Sequence, residues 1–404
     1  MKKNMKKLSV VSLGISSLLA AALPLVAQAP AVPSHIVHPP IVVMSGHQDP
    51  NNPSGVLPRE YRAAYGFNQI PNQGAGQTIA LVDAYDDPNI ASDLAFYANK
   101  FNLTPCNFTK VKLGTITGQG WDLEESLDVE QACAIAPAAN IVLVEAASAN
   151  DTDLFTAVQV ATSAPYNATV VSMSWGEGEF NGEQSNDSFF CNIVNGNGLP
   201  VTFFASSGDG GHGTIYPSAS PCVIAVGGTT LALTTSAPLG NPFLLDYGHE
   251  TTWTGSGGGV SPYEAQPSYQ NPACATWSTS GRCIPDIAAD ANPATGVPVY
   301  DTFSYNGWVQ VGGTSVSSPD WGAFMTLVNS GRVAAGKGLL SQANFDLYQL
   351  YYSSNYATDF HDITSGNNGG CGSQCNAGTG YDLVTGIGTY QANNLYHALL
   401  GVTN

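Results

Sequence analysis

Two carboxylates four residues apart, Glu124 and Asp128 in GWDLEESLDVEQACAIAP (120–137), are the first chemically pointed feature of the chain. If 122–136 is a helix ended by Pro137, their side chains lie one above the other on the same face. Such a pair repels itself unless it shares a proton or a partner, which raises one pKa and lets one group orient the other. An acidic first turn favoured by the helix dipole is the plainer alternative. A second segment, VGGTSVSSPDWGAF (311–324), sets glycines and small hydroxyl residues before a helix with Pro319 in its first turn. Ser315 is then held at a tight loop-to-helix junction, where backbone N–H groups can face a developing oxyanion. A simple helix cap also uses Ser or Thr. A third, ASSGDGG (205–211), follows a strand-like run and puts Asp209 at its carboxyl end. Ligands and catalytic groups collect there in open α/β sheets, although Asp-Gly is also a turn former.

The elements that must position these groups alternate along the chain. Apolar strand-like runs are TIALVDA (78–84), NIVLVEA (140–146), ATVVSMSW (168–175), VTFFASS (201–207) and VIAVGGTT (223–230). Helical patterns cover 89–101, 122–136, 151–163, 317–330 and 390–400, with a short helix at PREYRAAYG from Pro58. This alternation predicts an α/β domain over 58–404, with a largely parallel central sheet and helices on both faces. Residues 231–310 read as loops and hairpins, and residues 30–57, rich in Pro, Ser, Asn and His, as an irregular lead-in.

Composition bounds the function. The 404 residues are 43% hydrophobic and 10% charged, enough apolar content for a real core. Lys and Arg number 12 against 30 Asp and Glu, a formal charge of -18, which argues against nucleic acid or an anionic membrane as partner. Lys2, Lys3, Lys6 and Lys7 precede the apolar run LSVVSLGISSLLAAALPLV and Ala27-Gln28-Ala29, the pattern of a signal peptide over 1–29. A secreted, extracellular protein without stable membrane association is expected, and eight cysteines in the exported part favour disulfides. Cys274 with Cys283 and Cys371 with Cys375 are the safest pairs.

Taken together, the motifs resemble the sedolisin (serine-carboxyl peptidase) family, subtilisin-like in fold. The Glu-x-x-x-Asp helix matches 124–128, the Gly-Asp motif Gly208-Asp209, and the Gly-Thr-Ser motif 313–315 with Pro319 in place. Supporting blocks are YPSASPCVIAVGGTT (216–230), ETTWTGSGGGVSPYEAQPSYQ (250–270) and CIPDIAADANPATGVPVY (283–300). The resemblance implies a monomeric, acid-active endopeptidase acting on polypeptides. Ser315 is its nucleophile, Glu124 the general base, Asp128 the orienting partner and Asp209 a stabiliser of the oxyanion. It also implies that Asp83 and Trp175 are linked to the carboxylate pair. Glu125, roughly 100° round the helix, is expected at the surface. In HDITSGNNGGCGSQCNAGTGYDLVTGIGT (361–389) the resemblance implies one structural Ca²⁺. Its ligands are Asp362, the carbonyls of Ile363, Gly378 and Gly380, and Asp382, an oxygen-only set suited to that ion.

Two other readings compete. GHGT (211–214) is similar to a subtilisin histidine motif, so Asp83, His212 and Ser315 would form a histidine-based triad; but His212 follows the Asp209 strand and opens no helix pattern. An inactive, calcium-stabilised secreted binding module is the second. The family is usually made with a long N-terminal prodomain, for which the 28 residues after the signal peptide are too few.

Overall fold

Strand parity organises the molecule. In the computed structural model, which describes residues 35–103, 106–235, 245–341 and 343–403, neighbouring strands of the central sheet follow the order Leu245–Thr252, Ile224–Thr235, Thr202–Ser206, Val170–Met173, Thr78–Ala84, Asn140–Ala146, Asn107–Lys112. Ile287–Asp290 joins the sheet through Ile224–Thr235, and every pairing is parallel except that of Leu245–Thr252. The expected signal peptide lies outside the described residues.

Side chains alternate across a strand, so each strand feeds two cores. Ile79 and Leu81 pack with Leu123, Leu127, Val316 and Trp321 on one face. Ala80, Val82 and Ala84 pack with Leu154, Phe155 and Val158 on the other. The first face carries helices Asp122–Ile135 and Thr314–Ala334; the second carries Asp151–Thr162. Helices thus cover both faces, which is why these strands are continuous apolar runs rather than alternating ones.

The strand and helix expectations hold closely, with Thr78–Ala84 and Asn140–Ala146 spanning the runs read from the sequence. Three do not. The lead-in is regular in part: Val42–Asp49 is a strand antiparallel to Gly307–Gly312, itself followed directly by the serine helix. Within 231–310, Ile287–Asp290 is a buried strand of the main sheet, hidden in the sequence by its length of four residues. The serine helix begins at Thr314, so Pro319 lies inside it rather than in its first turn.

All eight cysteines are paired, as Cys106–Cys133, Cys191–Cys222, Cys274–Cys283 and Cys371–Cys375. Among the described residues, no helix is long and apolar enough to cross a membrane.

Candidate active site

The parity that sorts the apolar residues also sorts the acids. Asp83 has the parity of Ile79 and Leu81, and Glu145 that of Ile141 and Leu143, so both carboxylates emerge on the face that carries the Asp122–Ile135 helix. That helix is buried along its whole length, between the sheet, helix Ile90–Lys100, the serine helix and strand Val297–Asp301. It has no solvent face, which corrects the expectation for Glu125. Its carboxylate is buried, accepts a hydrogen bond from the Asp87 amide at 3.1 Å and adjoins Glu145.

Glu124 and Asp128 are fully buried. Burial, then the charge of Asp83, raises both carboxyls well above the usual range. Asp83 is itself raised to about 8 by burial and by Glu145. Three buried carboxyls that feel one another's charge cannot all ionise together, so protons stay on the set. The Ser315 hydroxyl is close enough to draw the Glu124 carboxyl back down. Yet Ser315 Oγ and both Glu124 oxygens are without a hydrogen bond of standard geometry. A catalytic hydrogen bond that is loose before substrate is bound has this form.

Ser174, which sequence reasoning did not single out, ties the pieces together. Its Oγ donates to Asp128 Oδ1 at 2.8 Å and reaches the Ser315 carbonyl at 3.5 Å. That carbonyl lacks the usual helical partner four residues on, because Pro319 has no N–H. The signal was available in SMSW: Ser172 and Ser174 share the parity of Val170, which faces the serine helix. Ser172 meets Ser318 at 2.9 Å. Trp175, of opposite parity, packs with Phe155 on the far face and approaches the carboxylates only through its Nε1–H bond to the Val82 carbonyl, 2.7 Å.

Asp209 comes from the loop after strand Thr202–Ser206. Its Oδ1 accepts the amide and the hydroxyl of Thr314, while Oδ2 is buried without a partner. Burial outweighs those two bonds and raises its carboxyl to about 7. A Cβ on Gly313 would stand 2.2 Å from the Pro40 carbonyl oxygen and 2.6 Å from Asp209 Oδ2, and Gly313 has φ 111°, so only glycine fits here. The arrangement offers a hydroxyl nucleophile, a buried carboxylate beside it and a protonatable carboxyl at the start of the same helix, the components of acyl transfer.

His212 does not join them. It is exposed, its amide bonded to the Asn368 carbonyl and its ring against Gly259. It stands near Cys371 and Cys375, whose sulfurs form a disulfide and offer no thiolate to a metal. Asp83, by contrast, is buried beside Glu124 and Asp128.

In the C-terminal loop, Asp362 accepts the Gly380 amide on both carboxylate oxygens at 3.1 Å, and Asp382 accepts the Gly378 amide at 3.0 Å. Both carboxylates act on the Tyr356 hydroxyl, so they converge. Two converging carboxylates supply hard oxygen donors of the kind Ca²⁺ takes.

Comparison with known proteins follows the same lines. The family model described as the subtilase family matches residues 114–343. The chain is 29% identical to sedolisin of Pseudomonas sp. (strain 101), over 83% of this chain and 60% of that protein. It is 30% identical to kumamolisin of Bacillus sp. (strain MN-32), over 86% of this chain and 64% of that protein. The chain thus spans about three-fifths of the length of these relatives. The solved Pseudomonas sedolisin (serine-carboxyl proteinase), complexed with two molecules of pseudo-iodotyrostatin, superposes with a TM-score of 0.71 at 26% identity, covering 87% of this chain and 99% of that one. A lanthipeptide protease at 14% identity and a TM-score of 0.52 shares the fold.

Proposed function

The chain belongs to the subtilase family, in its sedolisin (serine-carboxyl peptidase) branch, and from that membership we propose that it is a secreted, acid-active endopeptidase. The observation that carries this reading is the buried pairing of Glu124 with Ser315, with Asp128 and Asp83 behind it and no imidazole in the cluster.

Glu124 takes the Ser315 proton as Oγ attacks a peptide carbonyl carbon, and returns it to the departing amine. Water, deprotonated in turn by Glu124, then hydrolyses the acyl-enzyme. Asp128, held by Ser174, orients Glu124 and keeps one proton in the pair. As the carbonyl oxygen gains charge, the Ser315 amide and a protonated Asp209 Oδ2 donate to it. A carboxyl can do this only while neutral, which burial secures up to about pH 7. Polypeptides are the substrates.

The loop around Asp362, Ile363, Gly378, Gly380 and Asp382 would hold one Ca²⁺, which when bound links strand Phe360–His361 to the loop before Thr389–Tyr390 and supplies no step of the reaction. Secretion rests on the signal-like N-terminus and the four disulfides.

The test is casein or peptide hydrolysis from pH 2 to 9 with the wild type, Ser315→Ala and Glu124→Gln. Activity confined to acid and lost in both variants is expected. A maximum near pH 8, or full activity in Glu124→Gln, overturns the reading.

A further inference from the structure

A row of charged residues crosses the sheet behind the candidate nucleophile. Asp83, Glu145 and Lys112 are register partners on three neighbouring strands, Thr78–Ala84, Asn140–Ala146 and Asn107–Lys112. Lys110, two residues before Lys112, has the same parity and so lies on the same face, the one that carries the Asp122–Ile135 helix. Asn107–Lys112 is an edge strand, so the row runs from fully buried Asp83 and Glu145 to exposed Lys112.

Lys110 is the cation of this row that reaches the buried acids. Its Nζ lies 2.8 Å from Glu145 Oε1 and 2.6 Å from Asp86 Oδ1, and donates to the Asp87 carbonyl at 2.5 Å. Lys112 pairs with the other oxygen of Asp86. Among the described residues, no other cation forms an ion pair with Asp83, Glu124, Glu125, Asp128 or Glu145. Partial burial works against the Lys110 charge, but Asp86 and Glu145 hold the ammonium above its ordinary pKa. Glu145 Oε1 also accepts the Asp87 amide at 3.2 Å. Glu125 Oε1 and Glu145 Oε2 find no N–H or hydroxyl donor, and the two groups hydrogen-bond to each other, which needs a proton on Glu125. Glu145 is thus faced by Lys110 and Lys112 from the edge strand, Asp86 and Asp87 from the loop after Thr78–Ala84, Asp83 on that strand and Glu125 on the helix.

In a chain of buried carboxyls, a charge fixed at one end decides which of the others can ionise, because neighbours do not both give up their protons. Burial first, and then the Glu145 charge, hold a proton on Asp83. After burial itself, the Asp83 charge is what most opposes ionisation of Glu124. We infer that Lys110 is a positioning residue for the reaction: paired with Glu145, it places the negative charge of the carboxyl set away from Asp83, so that Glu124 can ionise beside Ser315. This rests on the peptidase reading. Lys110 touches no reacting atom and acts through Glu145 and Asp83.

The experiment measures kcat/KM for a peptide from pH 2 to 9, which follows the base of the free enzyme, together with thermal melts. Lys110→Met leaves Glu145 buried without its cation, so Glu145 takes a proton and Asp83 becomes the easier group to ionise. Glu124 then keeps its proton to higher pH, and the acid limb of the profile should move up by about one pH unit. Lys110→Arg keeps the charge and should show the wild-type limb. Glu145→Gln should move the limb in the same direction, because an amide sets no charge against Asp83, and it decides the matter if Lys110→Met does not fold. Lys112→Met removes an equal charge from Asp86 and should leave the limb in place. A merely structural Lys110 would lower Tm and kcat/KM at every pH with the limb unmoved. An unmoved limb in Lys110→Met or Glu145→Gln, or an equal shift in Lys112→Met, overturns this inference while an active wild type spares the peptidase reading. A wild type that hydrolyses no peptide overturns both.

Discussion

Asp209 Oδ1 accepts two hydrogen bonds from Thr314, the amide at 2.8 Å and the hydroxyl at 2.9 Å, which fixes the carboxyl at the first turn of the helix that carries Ser315. One oxygen is thereby consumed in positioning, and the other is left buried and unpaired beside Gly313. A carboxyl in this state is useful only as a proton carrier.

Activity should accordingly fall as pH rises through about 7, where Asp209 ionises and repels the oxyanion it had served. Asp209→Asn keeps an N–H donor at every pH, so the upper limb of its kcat profile should move to higher pH. Asp209→Ala should lose about 10²–10³ in kcat, the usual cost of one oxyanion donor. Profiles from pH 3 to 9 decide it; an unmoved upper limb in Asp209→Asn would show that another group sets the limb.

Adjacent glutamates should behave oppositely. Glu124→Gln removes the base beside Ser315 and should cost about 10³-fold or more in kcat. Glu125→Gln leaves Ser315 untouched and can still accept from the Asp87 amide, so kcat should stay within about threefold while Tm shifts. Steady-state kinetics and thermal melts on the two variants separate these effects.

Folding stability should be greatest in acid. Asp83 and Asp320 are raised to about 8 by burial, and Asp209 and Asp87 to about 7. A carboxyl whose folded pKa exceeds its unfolded value near 4 binds its proton more tightly in the native state. Its contribution is complete below pH 4 and is lost as pH rises through 7 to 8. Tm should therefore drop by about 5 °C or more between pH 4 and pH 8. A Tm that rises over this interval would contradict the burial of these groups as acids.

Chelation should destabilise the fold without touching the chemistry. Removal of Ca²⁺ from the Asp362–Asp382 loop should lower Tm by about 5 °C, and Asp382→Asn should abolish the effect of added calcium. Calorimetry with and without chelator, together with metal analysis of the purified protein, checks both; an unchanged Tm and no bound calcium would remove the ion from the account.

Much of this was legible in one dimension. Parallel strands buried on both faces must be continuous apolar runs, so Thr78–Ala84 and Asn140–Ala146 could be bounded closely. The three motif segments carried Glu124, Asp128, Asp209 and Ser315, because a strand end and a helix start are local events with local residue preferences. Glu125 was misread for a physical reason: helix phase says which side chains share a face, but not how many faces are covered. Here the sheet lies on one side and other elements on the rest, so an acidic residue off the apolar stripe is buried all the same.

Sequence alone therefore determined the element order, the disulfide-bonded class and the residues able to do acid-base and nucleophilic chemistry, since each depends on neighbours within a turn or a strand. Only tertiary structure decided that Ser174 rather than Trp175 meets Asp128, that Asp209 spends one oxygen on Thr314, and that residues 35–41 lie against Ser315. Those outcomes depend on which strands become neighbours and which faces they turn to each other, and that is set by burying two cores at once, a condition no single segment contains.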